Sequence, residues 1–214
     1  MLSRRLKSIA GLIKSEDRVV DIGCDHALLD IYLVENKILD TVVVSDVNKN
    51  ALQIGTQNIA KHNLTSKIEA RLGYGLTIID ENIDTAVISG MGTNTIIKIL
   101  AHTNLKYLNK LIIQSNNDYY LLRKFVCLRG FYITHESVVY EKGKYYINIV
   151  FERGRKRYSN KELKYGPILK STNRDYFNFM LKKHTAILEN IPWFKIFTRL
   201  KHRKEILYLS RLSK

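Results

Sequence analysis

Short runs rich in Val, Ile and Thr alternate with helical stretches over residues 1–153. Five such runs come first, at 19–22, 41–46, 67–71, 84–88 and 110–114. A helix is predicted at about 118–129, and two more strand-like runs follow it at 131–136 and 145–151. Alternation of this kind is typical of a parallel sheet with crossover helices.

The last two runs are separated by a short segment that contains Glu141-Lys142-Gly143-Lys144. So short a connection predicts a terminal hairpin, and one edge strand is therefore expected to be antiparallel. We predict a mostly parallel seven-stranded sheet with one antiparallel strand. This layout is typical of the Rossmann-like fold of class I methyltransferases and differs from that of dehydrogenases.

The remainder of the chain has apolar side chains at helical spacing and no strand-like run. Two sets fall along helix stripes: Tyr176, Met180, Ile187 and Ile191, then Trp193, Leu200 and Leu207. Pro192 lies between them, in a turn or at the start of the second helix. We predict an α-helical hairpin and two domains, 1–155 and 156–214.

Charge differs between these two parts. The chain carries a formal net charge of +15, and residues 154–214 hold 16 basic and 4 acidic side chains, a net +12. A solvated helix face explains some of these charges, but their concentration at one end favours a polyanionic partner such as nucleic acid.

Composition narrows the remaining classes of protein. Two cysteines, no signal-like start and no apolar run of about 18 residues predict a cytoplasmic protein that does not cross a membrane. The six histidines are scattered without ligand spacing, so no metal site is expected.

Candidate chemistry lies where the predicted strands end. Gly23 follows the first strand, and Asp46 ends the second, 23 residues later, where a carboxylate can accept hydrogen bonds from ribose hydroxyls. The Gly-x-Gly-x-x-Gly fingerprint of dinucleotide sites is absent, which argues against a nicotinamide dehydrogenase. S-adenosylmethionine (SAM), a nucleoside cofactor without phosphates, fits better. Further glycine-rich turns, 72–76 and 89–94, follow the third and fourth strands.

Several of these segments together resemble the bacterial TrmK family. They are Asp21-Ile22-Gly23-Cys24-Asp25-His26-Ala27, Ser45-Asp46-Val47-Asn48, Leu72-Gly73-Tyr74-Gly75, Ser89-Gly90-Met91-Gly92 and Gln114-Ser115-Asn116. The resemblance covers nearly the whole chain. It implies a SAM-dependent enzyme that methylates N1 of adenosine 22 in tRNA, with the basic helical domain binding the tRNA. A monomer is expected.

The resemblance also implies a set of cofactor-binding residues: Asp21, Gly23, Asp46, Val47, Gly73, Tyr74, Ser89, Gly90 and Met91. Candidate catalytic residues are Asp25 and His26, with Gln114 and Asn116 lining the same mouth. Asp25 could instead cap the helix that begins near Ala27, and His26 could be structural.

Three positions depart from the usual family pattern. Tyr74 replaces an acidic residue, Thr93 replaces a glycine, and Ser115 follows Gln114 where a proline is common. Two other functions stay open: SAM-dependent methylation of another RNA or another substrate, and non-catalytic tRNA binding on a methyltransferase scaffold.

Overall fold

The structure, a computed structural model, describes residues 2–101 and 105–213. Its contacts define two compact units, the first ending at Lys164 and the second beginning at Tyr165. Sequence analysis predicted domains 1–155 and 156–214. Residues 156–164 belong with the first unit because Tyr158 contacts the sheet through its hydroxyl, which accepts a hydrogen bond from the Ile133 N–H at 2.9 Å. The Leu163 carbonyl accepts another from the buried Arg123 guanidinium.

The first unit is a seven-stranded sheet with helices around it. Its strands are β1 Val19–Ile22, β2 Val42–Asp46, β3 Ile68–Leu72, β4 Thr85–Met91, β5 Lys110–Ser115, β6 Phe131–Glu141 and β7 Lys144–Arg153. Its helices are α1 Arg4–Ala10, α2 Leu28–Glu35, α3 Lys49–Lys61, α4 Thr93–Ala101, α5 Tyr119–Leu128 and α6 Asn160–Tyr165, which ends just past the boundary. A 3₁₀ turn spans Gly75–Ile78.

The strand order is β3-β2-β1-β4-β5-β7-β6. Strands β1 to β5 pair in parallel, and β7 lies antiparallel to both β5 and β6. The predicted methyltransferase-type sheet with one antiparallel strand is therefore confirmed. The expectation that this strand lies at an edge is wrong, because β7 is inserted between β5 and β6. Lys142 and Gly143, both with positive φ, form the two-residue turn of the β6–β7 hairpin, as hairpin geometry requires.

Burial explains the positions of these strands. Every residue of β1 and of β5 is buried, because helices cover both faces of the parallel part of the sheet. The order reverses between β1 and β4, whose neighbours β2 and β5 lie on opposite sides. At such a reversal the connections leave in opposite directions and open a crevice at the carboxyl ends of the strands.

The second unit contains α7 Leu169–Thr172, α8 Arg174–Asn190 and α9 Ile196–Leu212. Helices α8 and α9 form the predicted antiparallel hairpin. His184 Nδ1 lies 3.0 Å from His202 Nδ1, and the Arg199 guanidinium donates to the Leu188 carbonyl. Phe177 and Leu209 are buried at the base of the hairpin.

The apolar stripe predicted for the second of these helices does not face α8. Trp193, Leu200 and Leu207 are all exposed. Arg199 and His202 contact α8 instead, through the guanidinium and the imidazole pair. Within residues 2–101 and 105–213, no helix is long and apolar enough to span a membrane.

Candidate active site

The end of β1 comes very close to the end of β4. Gly23 has φ +78, and a Cβ built there would lie 2.1 Å from Met91 Cε. The left-handed backbone and this close approach both favour glycine at position 23. Gly23 and Met91, both expected at the cofactor site, therefore meet at the β1–β4 reversal.

The loop after Gly23 is held in an unusual backbone conformation. Asp25 and Ala27 both have positive φ, at 49° and 54°, which non-glycine residues seldom adopt. Helix α3 supports this loop from outside. A Cβ on Gly55 would lie 3.0 Å from the Asp25 carbonyl oxygen, and Asn58 Nδ2 donates to the His26 carbonyl at 3.1 Å.

This loop exposes the side chains of two catalytic candidates. The Asp25 side chain is 68% exposed and that of His26 50%, with Asp25 Oδ2 3.7 Å from His26 Nε2. Asp25 does not cap the following helix. Ala27 occupies the N-cap position of α2, and no side chain forms a capping hydrogen bond there. The Asp25 carboxylate therefore remains accessible to a ligand.

Asp46 lies half-buried at the end of β2. Its Oδ1 accepts a hydrogen bond from the Asn48 N–H at 2.8 Å, and its carbonyl accepts one from the Gly73 N–H. These bonds fix the carboxylate between the β1 and β3 exits, beside the exposed Val47. This is the place at which a ribose-binding acid is expected.

The turn after β3 is tightly packed under an exposed phenol ring. A Cβ on Gly73 would lie 2.1 Å from Ile78 Cγ2. The Tyr74 carbonyl accepts hydrogen bonds from the backbone and side chain of Thr77, and about half of the Tyr74 residue is exposed. The Tyr74 ring is thus available to a flat ligand at this edge.

Gln114 and Asn116, at the end of β5, have different environments. Gln114 is buried, and its Oε1 accepts from the Gly90 N–H at 3.2 Å while its Nε2 donates to the Ser115 carbonyl and to Asn116 Oδ1. Asn116 is exposed, and its Nδ2 donates to the Gly90 carbonyl at 2.7 Å. Gln114 therefore orders the strand exits, including Ser89 opposite it in the ladder. Of the two amides, Asn116 is the one that a substrate can reach.

Arg5, on helix α1, contacts the site, although no motif in the sequence singles it out. Its Nη1 donates to Gln114 Oε1 at 2.8 Å, and its guanidinium carbon lies 5.7 Å from the centre of the Tyr146 ring. Burial raises the pKa of Asp21, and the charge of Arg5 opposes part of that rise. One arginine in a seven-residue helix has no distinctive sequence pattern, so only the folded chain shows its contact.

Asp21 faces a second acid, Asp30, which sequence analysis also missed. Both are buried, and within the part of the chain that the structure describes no donor reaches Asp21 Oδ1 or either Asp30 oxygen. Burial raises the pKa of Asp21 to about 7, and burial together with the Asp21 charge raises the pKa of Asp30 well above its usual range. Burial and the neighbouring acid therefore both disfavour the ionisation of Asp30.

Two of the residues that depart from the family pattern, Thr93 and Ser115, are hydrogen-bonded to each other. Thr93 Oγ1 lies 2.7 Å from Ser115 Oγ, and both side chains are buried. Both hydroxyls also contact the Asn117 carbonyl, at 2.5 and 2.9 Å. The departures at positions 93 and 115 thus form one hydrogen-bonded link between the exits of β4 and β5.

The predicted site residues therefore gather at the carboxyl edge of one parallel sheet. Together they offer glycine backbones for close approach, a carboxylate suited to ribose hydroxyls, an aromatic ring, and an accessible Asp25–His26 pair. Among the described residues no cluster of three or more His, Cys, Asp or Glu side chains could hold a metal ion. The arrangement suits a nucleoside ligand and a second, reacting molecule.

Comparison with known proteins gives this arrangement a family. Residues 2–149 match the model of a methyltransferase domain. The tRNA (adenine(22)-N(1))-methyltransferase of Bacillus subtilis is 31% identical over 156 residues, 72% of this chain and 66% of that protein. A Streptococcus pneumoniae structure with S-adenosyl-L-methionine superposes with a TM-score of 0.89 at 30% identity, covering 100% of both chains.

A structure of M. capricolum TrmK with S-adenosyl-homocysteine covers 99% of this chain and 97% of its own, with 29% identity and a TM-score of 0.81. The similarity therefore extends through both units, beyond the methyltransferase domain alone. The chain belongs to the TrmK family of methyltransferases.

Proposed function

We propose that this protein transfers a methyl group from SAM to N1 of adenosine 22 in tRNA, giving 1-methyladenosine and S-adenosylhomocysteine. The observation that carries the proposal is the reversal of strand order between β1 and β4, in a chain that matches SAM- and SAH-bound relatives over nearly its full length. The nucleotide is taken from the name of the Bacillus subtilis relative.

The residues present fit SAM. Asp46 would accept hydrogen bonds from the ribose hydroxyls, and Gly23, packed against Met91, would contact the ligand through its backbone. Gly90 leaves space for the ligand, because a Cβ there would meet only Arg5 Nη1, at 3.7 Å. Tyr74 and Val47, both exposed, would flank the adenine. The remaining proposed contacts are Asp21, Gly73, Ser89 and Met91. When bound, SAM supplies an electrophilic methyl group on a sulfonium.

The proposed reaction needs no base to activate the nucleophile. The N1 lone pair of adenine forms the new bond to the methyl carbon, and the carbon–sulfur bond breaks with its electrons passing to sulfur. The product base is then cationic. Asp25 would stabilise this positive charge, and His26 and Asn116 would orient the base beside it, with Gln114 fixing Asn116.

The second unit would hold the tRNA. Its sequence, residues 165–214, contains 11 basic and 3 acidic side chains. Contacts from these cations to phosphates give affinity with little sequence information, and such binding weakens as salt rises. The target base would be turned out of its stack to reach the methyl group. We propose a cytoplasmic monomer.

Incubation of the purified protein with unmodified tRNA and labelled SAM tests the reaction, read by nuclease digestion and nucleoside mass spectrometry. We expect 1-methyladenosine, and none when adenosine 22 is replaced by guanosine. Single-turnover rates of Asp25→Asn and His26→Gln should fall while SAM affinity is kept. Tight tRNA and SAM binding without any transfer would support the non-catalytic alternative, and methylation of a different substrate would reassign the target.

A further inference from the structure

The hairpin tip and one face of α9 present large apolar side chains to solvent. Trp193 is 82% exposed and Phe197 90%, and Phe194, Leu200 and Leu207 are also exposed. Apolar groups collected in one region usually mark a contact surface, because a monomer gains stability by burying them. We call Trp193, Phe197, Leu200, Lys201 and Lys204 the tip surface.

Cations share this surface. Positions 197, 200, 204, 207 and 211 recur at intervals of three and four, so Lys204 and Arg211 lie on the same side of α9 as Phe197, and Lys201 lies beside them. All three basic residues are exposed. The one acid between Ile196 and Leu212 is Glu205, whose carboxylate accepts a hydrogen bond from the Tyr165 hydroxyl in the base of the unit. The tip surface is therefore aromatic and positively charged.

The combination of aromatic rings and positive charge indicates which kind of partner the tip surface binds. A second copy of the chain would bring like charges together, which costs association energy. A polyanion complements the lysines, and the flat rings of Trp193 and Phe197 require a partner with flat faces. Unpaired nucleotides have both properties, since every base has a face on which an aromatic ring can stack and every linkage carries a phosphate.

We propose that the tip surface is a stacking platform for unpaired nucleobases of RNA, with Trp193 and Phe197 on the bases and Lys201 and Lys204 on the phosphates. The inference rests on the proposed function, because it names the tRNA feature that the second unit holds. It also specifies what a phosphate-binding helix alone would not provide, a preference for single-stranded or looped RNA over a regular duplex.

Trp193 is the only tryptophan in the sequence, so its emission reports on the tip surface directly. We would titrate the full chain with a single-stranded oligoadenylate and with a duplex of equal phosphate number, and follow binding separately by anisotropy of labelled RNA. The expected result is quenched emission and reduced acrylamide access with the single strand, at the same midpoint as the anisotropy. Saturated single-strand binding with unchanged Trp193 emission would overturn the proposal.

Variants separate stacking from charge. Phe197→Ala should weaken single-strand binding about 5- to 100-fold, while Phe197→Trp restores it. The slope of log affinity against log salt should stay unchanged in Phe197→Ala and fall by about 1 in Lys204→Ala, since only the lysine displaces a counterion. Leu128→Ala is the matched control, because Leu128 is also an exposed apolar residue but lies on α5, outside the tip surface. This variant should bind single-stranded RNA with wild-type affinity. Wild-type affinity in Phe197→Ala would refute the platform.

The same proteins distinguish this inference from the proposed reaction. If tRNA quenches the Trp193 emission but is not methylated, the proposed reaction is wrong and the stacking platform is supported. If adenosine 22 is methylated but saturating tRNA leaves the Trp193 emission unchanged, the reaction is supported and the stacking platform is wrong. A blue shift with vesicles containing phosphatidylglycerol, but not with RNA, would replace RNA by a membrane surface. Concentration-dependent sedimentation that Phe197→Ala abolishes, without RNA binding, would replace it by self-association.

Discussion

The Thr93–Ser115 hydroxyl pair is open to a double-mutant cycle. Thr93→Val keeps the shape of the side chain and removes Oγ1, and Ser115→Ala removes Oγ. Each residue is buried, and the two oxygens lie 2.7 Å apart. Each change also leaves the other hydroxyl with the Asn117 carbonyl as an acceptor. The surviving group is thus partly satisfied.

We therefore expect each single variant to lower the free energy of unfolding by about 1–2 kcal/mol, the range for losing a buried hydrogen bond without fully stranding its partner. The double variant should lose about 0.5–1 kcal/mol less than the sum of the two, because the shared bond can be lost only once. The rate of methyl transfer should fall in parallel, since the hydroxyl pair joins the exits of β4 and β5.

Urea unfolding followed by circular dichroism gives the three free energies, and SAM titration gives the effect on the site. Thr95→Val is the matched control, because Thr95 lies on the same helix, α4, and is exposed. Its free energy of unfolding should change by less than about 0.5 kcal/mol. Additivity of the two buried changes within about 0.3 kcal/mol would refute the coupling.

Three further variants test the site. Arg5→Ala should reduce kcat/KM by about 10- to 100-fold, because Gln114 loses a charge-assisted hydrogen bond. Arg5→Lys should recover part of the lost activity. Unchanged kinetics in both variants would show that Arg5 does not contribute to the site. Gly55→Ala should lower the affinity for SAM and the free energy of unfolding, the latter by about 1–2 kcal/mol, because the new Cβ presses on the Asp25 carbonyl. Gly11→Ala is the control, since a Cβ there has only ordinary contacts, and it should change neither quantity. Ligand titration measures the affinity and calorimetry the stability. Because the pKa of Asp21 rises from 3.8 to about 7 on folding, the folded state holds more protons between these values, and the free energy of unfolding should fall by up to about 4 kcal/mol as pH rises through that window. Asp30→Asn removes the second buried acid and should flatten that fall in urea melts at pH 5 and pH 8, and an equal fall in both proteins would contradict a contribution from Asp30.

Local pattern was sufficient to predict the strands and the hairpin. β1 begins and ends where the Val-Val-Asp-Ile run does, and Lys142-Gly143 forms the expected turn. β4 runs three residues beyond the predicted end because Ser89 and Met91 pair with Gln114 and Ser115 through a bulge. Extension of that kind depends on a neighbouring strand, which local pattern does not specify.

The misses share a physical cause, since each depends on contacts between distant parts of the chain. Arg5 and Gln114 are 109 positions apart, so no local pattern links them. The exposure of the apolar stripe on α9 has the same origin. Hydropathy assigned Trp193, Leu200 and Leu207 to one stripe, but Arg199 and His202 occupy the contact with α8 through hydrogen bonds that hydropathy does not count. The roles of Asp25 and His26 stay a prediction, to be decided by kinetics.

Helix α1 has a consequence for how the protein is made. Arg5 donates to Gln114, and Ser8 accepts a hydrogen bond from Asn148, a residue 140 positions later. A ribosome therefore produces α1 before it completes β5 and β7, which carry the partners of Arg5 and Ser8. Until then α1 can pack only against elements made earlier, such as α2, and closing so long a loop slows folding. A polypeptide cut off before residue 148 would consequently lack an ordered methyl-transfer site, even though it already contains every glycine turn of that site.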